Sequence, residues 1–255
     1  MASSHSQLSD LSASTHRQRP VIAIDGPAGA GKSTLAAHLA RRFGFLNLET
    51  GAMYRALALK AIENDLAFEE EEPLLALAAR TRILLEPQIE GNRVLLDGMD
   101  VSRRIRESDV TSAASKISVH PRLRAWMVDA QRVLGRAGGV VMEGRDIGTA
   151  VFPDAEVKIF LDAAPEVRGN RRYRQLPTVQ TATQTAPQGS EAELAKLVHE
   201  MRERDERDRN RAESPLKPAP DAILVDSTSL SLDEVLVQAE QIVRNYLERS
   251  GASVE

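Results

Sequence analysis

The chain has 255 residues, a net charge of −4, 42% hydrophobic and 27% charged residues, and no cysteine. This is the composition of a soluble globular protein, long enough for one domain carrying an insert, and without cysteine it excludes disulfides, thiolate catalysis and Cys-bound zinc or iron–sulfur sites. No apolar run of about 18 residues or more offers a membrane span, and the slight acidity argues against broad electrostatic binding of nucleic acid.

Residues 1–18, "MASSHSQLSDLSASTHRQ", lack the compact apolar region and cleavage site of a secretory signal, so a disordered tail and a cytoplasmic location are expected. "VIAI" (21–24) predicts a short buried strand, and "GKSTLAAHLARRFG" a helix ended by Gly44. "FLNLETGAMYRALALKAIEND" predicts a strand, a turn at Thr50-Gly51 and a second helix that continues through "EEEEPLLALAART". Between 81 and 99 the pattern changes to a hairpin around a Gly-Asn turn. "VSRRIRESDVTSAASKIS" returns to helix with Ser102 as N-cap, and "PRLRAWMVDAQRVLGRAGG" gives another helix stopped by Gly138-Gly139. "VVMEGRD", "VKIFLDA" and "AILVDS" predict three further strands before a closing amphipathic helix from 231. Strands alternating with helices imply an α/β fold with a parallel sheet covered on both faces, and the hairpin is an insert in that alternation. The polar stretch 176–190 predicts a mobile loop.

Residues 26–33, "GPAGAGKS", fit the phosphate-loop spacing G-x-x-x-x-G-K-[ST] between a predicted strand and a predicted helix. Glycines let backbone N–H groups surround an anion, and the helix adds its positive end. Lys32 is placed for the β- and γ-phosphates and the Ser33 hydroxyl for Mg²⁺. The guanine-reading N-K-x-D of GTPases and the L-S-G-G-Q of transporter ATPases are both absent, which leaves a small kinase.

Arginine outnumbers lysine 27 to 6, and its placement bears on the acceptor. Arg145 and Asp146 follow a strand end, where open α/β sheets bind ligands. Arg204, Arg207, Asp208 and Arg211 share one helical face. Spacing alone also fits a solvated helix laced by Glu203–Arg207 and Arg204–Asp208 pairs.

"IDGPAGAGKST", "TGAMYR", "GRDIGTAVFPDA", "KIFLDA" and "ERDERDRNRAESPL", in that order, resemble the bacterial cytidylate (CMP) kinase family from Pro20 to about residue 248. The resemblance implies ATP-dependent phosphorylation of CMP and dCMP with Mg²⁺, on a P-loop kinase fold. It implies a kinase domain over 19–250: core 19–76, 116–162 and 195–250, a CMP-binding insert 77–115, and a mobile lid 163–194. Gly26, Pro27, Ala28, Gly29, Ala30, Gly31, Lys32, Ser33 and Thr34 would bind ATP. Ser115, Arg124 and Asp146 would read cytosine, Arg204 and Asp208 hold the ribose, and Arg55, Arg145 and Arg211 grip the CMP phosphate. Thr50 and Tyr54 would complete the CMP site. Arg168, Arg171 and Arg172 would clamp the transferring phosphoryl, with Lys32, Arg145, Arg171, Arg172 and Arg211 as the catalytic cations.

A carboxylate such as Asp146 accepts from the N4 amino group of cytosine and repels the O4 of uracil, which gives the assignment a physical basis. Glu143, at a strand end, is a candidate for holding a metal-bound water. Ala28 stands where many members have serine, Thr50 where serine is common, and the lid is longer than the family pattern. A shikimate or gluconate kinase would explain the phosphate loop but neither the insert nor the arginine helix, and a non-catalytic nucleotide-binding regulator is the alternative from another class. The expected partners are the small molecules ATP and CMP or dCMP, with neither nucleic acid nor membrane, and a monomer is expected.

Overall fold

The computed structural model describes residues 17–88, 91–174 and 191–251. Its centre is β1 (Val21–Asp25), buried along its whole length. Around it lie β2 (Leu46–Glu49), β6 (Val140–Glu143), β7 (Val157–Asp162) and β8 (Ile223–Asp226), in the order β2-β6-β1-β7-β8. Every pairing is parallel. β1 alternates its apolar side chains between two cores, as a strand buried on both faces must. Ile22 and Ile24 pack toward Leu35 and Leu39 of α1 (Lys32–Phe43) and Ala239 and Val243 of α8 (Leu232–Ser250). Val21 and Ala23 belong to the opposite core, with residues of α2 (Thr50–Glu63), α3 (Glu71–Ala79), α4 (Ser108–Ile117) and α5 (Pro121–Gly135). The expected parallel sheet flanked by helices is therefore present.

The insert forms a separate antiparallel sheet of β3 (Ile83–Gln88), β4 (Gly91–Leu96) and β5 (Met99–Asp100). Its Leu85, Val94 and Leu96 share the core of α2, so it is a wing of that core and has none of its own. Gly91 and Asn92 do not make the hairpin turn. They pair in β4 with Gln88 and Pro87, and residues 89–90 lie outside the described ones. Asn92 is buried because its side chain copies a strand edge: Oδ1 accepts from Glu49 N at 2.8 Å and Nδ2 donates to Asn47 O at 2.7 Å. One amide thereby fastens the insert to β2.

Three local expectations are corrected. Thr50 and Gly51 open α2 directly after β2, with no turn between them. The segment after α2 is a separate helix, α3, because the chain reverses at Asp65 with φ 51. Ser102 does not cap a helix. Its Oγ accepts from Val94 N and donates to Asp100, closing the small sheet, and α4 begins at Ser108 after Glu107.

Beyond β7, α6 (Pro165–Arg174) packs against α7 (Glu191–Arg209). Gly169 permits this approach, since a Cβ there would lie 2.3 Å from Val198 Cγ2. The expected mobile loop at 176–190 falls outside the described residues. Arg17, assigned from sequence to the tail, belongs to the folded part: it pairs with Asp154 and Glu156 and lies over the Phe152 ring. No helix among the described residues is long and apolar enough to cross a membrane.

Asn92→Ala leaves the Glu49 N–H and the Asn47 carbonyl unpaired where the chain is partly buried. A loss of about 1–3 kcal/mol is expected, read as a lower midpoint in chemical denaturation.

Candidate active site

The site gathers at the carboxyl ends of the parallel strands. Gly26 leaves β1 at φ 147 and passes so close to β7 that a Cβ would lie 1.9 Å from the Leu161 carbonyl oxygen. Only glycine can make that exit. The loop ends at Gly31, which caps α1 without a side-chain bond, so the first amides of the helix have no side-chain cap there. Lys32 is buried and donates from Nζ to Pro27 O at 2.7 Å. Burial pulls its pKa down to about 7, and Arg145 and Arg204 add repulsion against the weaker pull of Glu143 and Asp25. Ser33 Oγ donates to Glu143 Oε2 at 3.0 Å, and Glu143 Oε1 is buried without a partner among the described residues. Burial, then the neighbouring Glu49, push Glu143 up to about 7.

Arg204, on α7, is lowered to about 10 by burial and by Arg145 and Arg55, and its Nε has no hydrogen-bond partner among the described residues. Lys32, Arg55, Arg145 and Arg204 thus converge from four parts of the chain with less negative charge than they would take. Glu49 answers some of it, receiving both Arg55 and, at 3.3 Å, Arg106 of the insert. Asp208 answers more: Arg145 Nε donates to it at 3.0 Å, and Arg211 lies 3.5 Å away. Although burial opposes it, these arginines hold the Asp208 carboxyl below the usual carboxylate range.

Next to this cluster sits a buried ion pair. Arg124, 2% exposed, donates from Nη2 to Asp146 Oδ2 at 2.5 Å and from Nη1 to Ser118 O, while its Nε has no partner among the described residues. The Tyr54 ring lies 5.6 Å from the Arg124 guanidinium carbon, and burial raises the Tyr54 hydroxyl to about 12. Ser115 is buried on α4 with an unpartnered hydroxyl.

Other expected site residues are otherwise engaged. Thr50 donates its hydroxyl to Glu143 O at 2.7 Å, tying α2 to β6. Arg168 does not face a site. Its three nitrogens bond Ala163 O, Ala28 O and the buried Asp205 carboxylate, so it braces the phosphate loop from behind. Because Arg168 uses the Ala28 carbonyl, the side chain at 28 does not matter for this contact. Arg171 spans Ala30 O and Ser227, a second brace. Arg172 is exposed, as is Thr34 on α1. Asp25 and Glu49 were missed by the sequence reading. An acidic residue closing a strand otherwise buried end to end was the available signal for Asp25.

The protein-family model for cytidylate kinase matches residues 22–245. This chain belongs to the cytidylate kinase family. A cytidylate kinase of Aeromonas hydrophila is 49% identical over 86% of this chain and 91% of its own length. One from Solibacter usitatus is 48% identical over 91% and 96%. Among solved structures, a shikimate kinase from Acinetobacter baumannii covers 91% of the chain and 96% of its own, with a TM-score of 0.40 and 15% identity.

For a cytidylate kinase braced in this way, Arg168→Met strands the Asp205 carboxylate and should cost about 3–5 kcal/mol of stability. Arg172→Met should leave the melting temperature within a degree or so of wild type, as expected for an exposed surface change. Thermal melts of the two variants, side by side, check the assignment.

Proposed function

We propose that the cation cluster and the Arg124–Asp146 pair form one continuous site in which CMP or dCMP accepts the γ-phosphoryl group of ATP. The observation that carries this reading is the buried, charge-assisted Arg124–Asp146 pair, whose neighbour in sequence, Arg145, belongs to an under-neutralised cluster of cations. A nucleoside monophosphate presents a base edge to the first and a dianion to the second.

In this reading Asp146 accepts from the cytosine N4 amino group. Arg124 holds that carboxylate in place, and its spare Nε can donate to an acceptor on the ring. Arg55, Arg145 and Arg211 hold the CMP phosphate, whose oxygen attacks the γ-phosphorus as the bond to the β–γ bridging oxygen breaks. Phosphoryl transfer asks for position and charge rather than a protein base, and Lys32 with the arginines supplies both. Phosphate binding favours the ammonium form of Lys32, since the added negative charge offsets its burial. Arg204 and Asp208 lie within reach of the sugar. Both Asp208 oxygens already face arginines, which limits how far the 2′-hydroxyl can be demanded and favours acceptance of dCMP as well.

Ser33 Oγ and the unpartnered oxygen of Glu143 suit a hydrated Mg²⁺, a hard cation that takes oxygen ligands and keeps waters. When bound, it neutralises charge on the β- and γ-phosphates. The β3–β5 wing lies in the CMP-binding insert, 77–115, in this reading, and α6 lies in the lid, 163–194.

Asp146→Asn turns one acceptor oxygen into a donor that uracil O4 can use. CMP should lose about 2–4 kcal/mol in kcat/KM, UMP much less, so the CMP/UMP ratio falls. Equal losses for both nucleotides in a coupled ADP-release assay would make Asp146 structural. Lys32→Ala should retain the fold and lose kcat by roughly a hundredfold or more, measured with saturating ATP.

A further inference from the structure

Asp25 lies at the root of the phosphate loop, yet its carboxylate points toward the base-reading segment. Oδ1 accepts from Ile147 N and Oδ2 from Gly148 N, both at 2.8 Å. These two amides open the helical turn Ile147–Val151, for which Asp146 is the N-cap residue. An aspartate at an N-cap ordinarily turns its side chain onto the free amides of its own first turn, which otherwise go unpaired. Asp146 does not: its side chain makes no cap bond and reaches Arg124 instead. Its backbone carbonyl still serves the turn, accepting from Ala150 N and Val151 N. The capping is thus divided between two aspartates, one ending β1 and one three residues past the end of β6.

We propose that Asp25 is a positioning residue for base recognition: by capping the 147–151 turn from β1, it frees the Asp146 carboxylate for the nucleobase. This rests on the reading of Asp146 given above. Without Asp25, two buried amides lose their acceptor, and the nearest carboxylate able to replace it is Asp146, one residue away. Asp146 would then leave Arg124 and abandon the base. Both strand neighbours hold the arrangement in register, because Gly144 N donates to Ile24 O at 2.9 Å just before the turn.

The test is steady-state kinetics on Asp25→Asn and Asp25→Ala, with Asp146→Asn alongside, at a temperature where melts show each variant folded. Asp25→Asn offers an amide in place of one acceptor, so Asp146 becomes the better cap. KM for CMP should rise on the order of tenfold or more, with KM for ATP changed less than about twofold and the CMP/UMP ratio of kcat/KM falling. A ratio that falls for Asp146→Asn but stays at wild type for Asp25→Asn overturns the positioning role alone. A ratio unmoved by either overturns the base-reading assignment beneath it. Equal rises in KM for ATP and CMP would mark Asp25 as a general structural residue and also overturn the proposal. Hydrogen exchange on the wild-type protein gives a readout that needs no folded variant. The amides of Ile147 and Gly148 should be as protected without CMP as with it, since the cap precedes the base. Protection that appears only with CMP refutes it.

Discussion

Lys32, Arg55, Arg145 and Arg204 repel one another, and a chain that folds them into one pocket must hold them there against that repulsion. Burial lowers Lys32 to about 7 and Arg204 to about 10, with Arg145 adding to both. The cost is met by elements that are stable for other reasons. Two apolar cores clamp β1 from either side, and the cations sit where the sheet's strands run out, attached to a frame that does not yield. A flexible scaffold would relax the cluster by splaying it apart, and the preorganisation that makes charge useful in phosphoryl transfer would go with it.

Carboxylates then divide the positive charge into compartments. Glu49 takes Arg55 and Arg106, Asp208 takes Arg145 and Arg211, and Asp146 takes Arg124. These pairs fix guanidinium groups in orientation while leaving some N–H groups unspent: the Nε atoms of Arg55, Arg124 and Arg211 have no partner among the described residues, nor has that of Arg204 outside the pairs. The site is neither a bare cationic hole nor a fully satisfied salt-bridge lattice.

Much of this was legible in the residues. The phosphate loop declared itself by spacing and by its place between strand and helix, and the parallel sheet followed from the alternation of elements. Arg145 and Asp146 stood out because a strand end is where such sheets bind ligands, and both lie just past β6 in buried ion pairs. What escaped was whatever depends on contacts distant in sequence. Arg168 and Arg171 look, in a string of letters, like any arginines near a phosphate site. Only the positions of Ala28, Ala30, Asp205 and Ser227 reveal them as braces. Asn92 read as a turn residue, because Gly-Asn is good turn chemistry, yet the backbone edge of β2 gave its amide a better use. Asp25 escaped because its partners are amides 122 and 123 residues away.

The brace from Arg168 to Asp205 also constrains how the family can drift. The two residues stand 37 positions apart, both nearly sealed from solvent. Losing either alone leaves a buried charge with no counter-ion, so neither can be replaced as a single step without a large penalty. A simultaneous swap to two apolar side chains could keep the helices packed, but it would strip the carbonyls of Ala28 and Ala163 of their donor and slacken the phosphate loop. Among related chains these two positions should therefore covary, and the pairs that persist should be those that still deliver a planar, multi-pronged donor to the back of the loop.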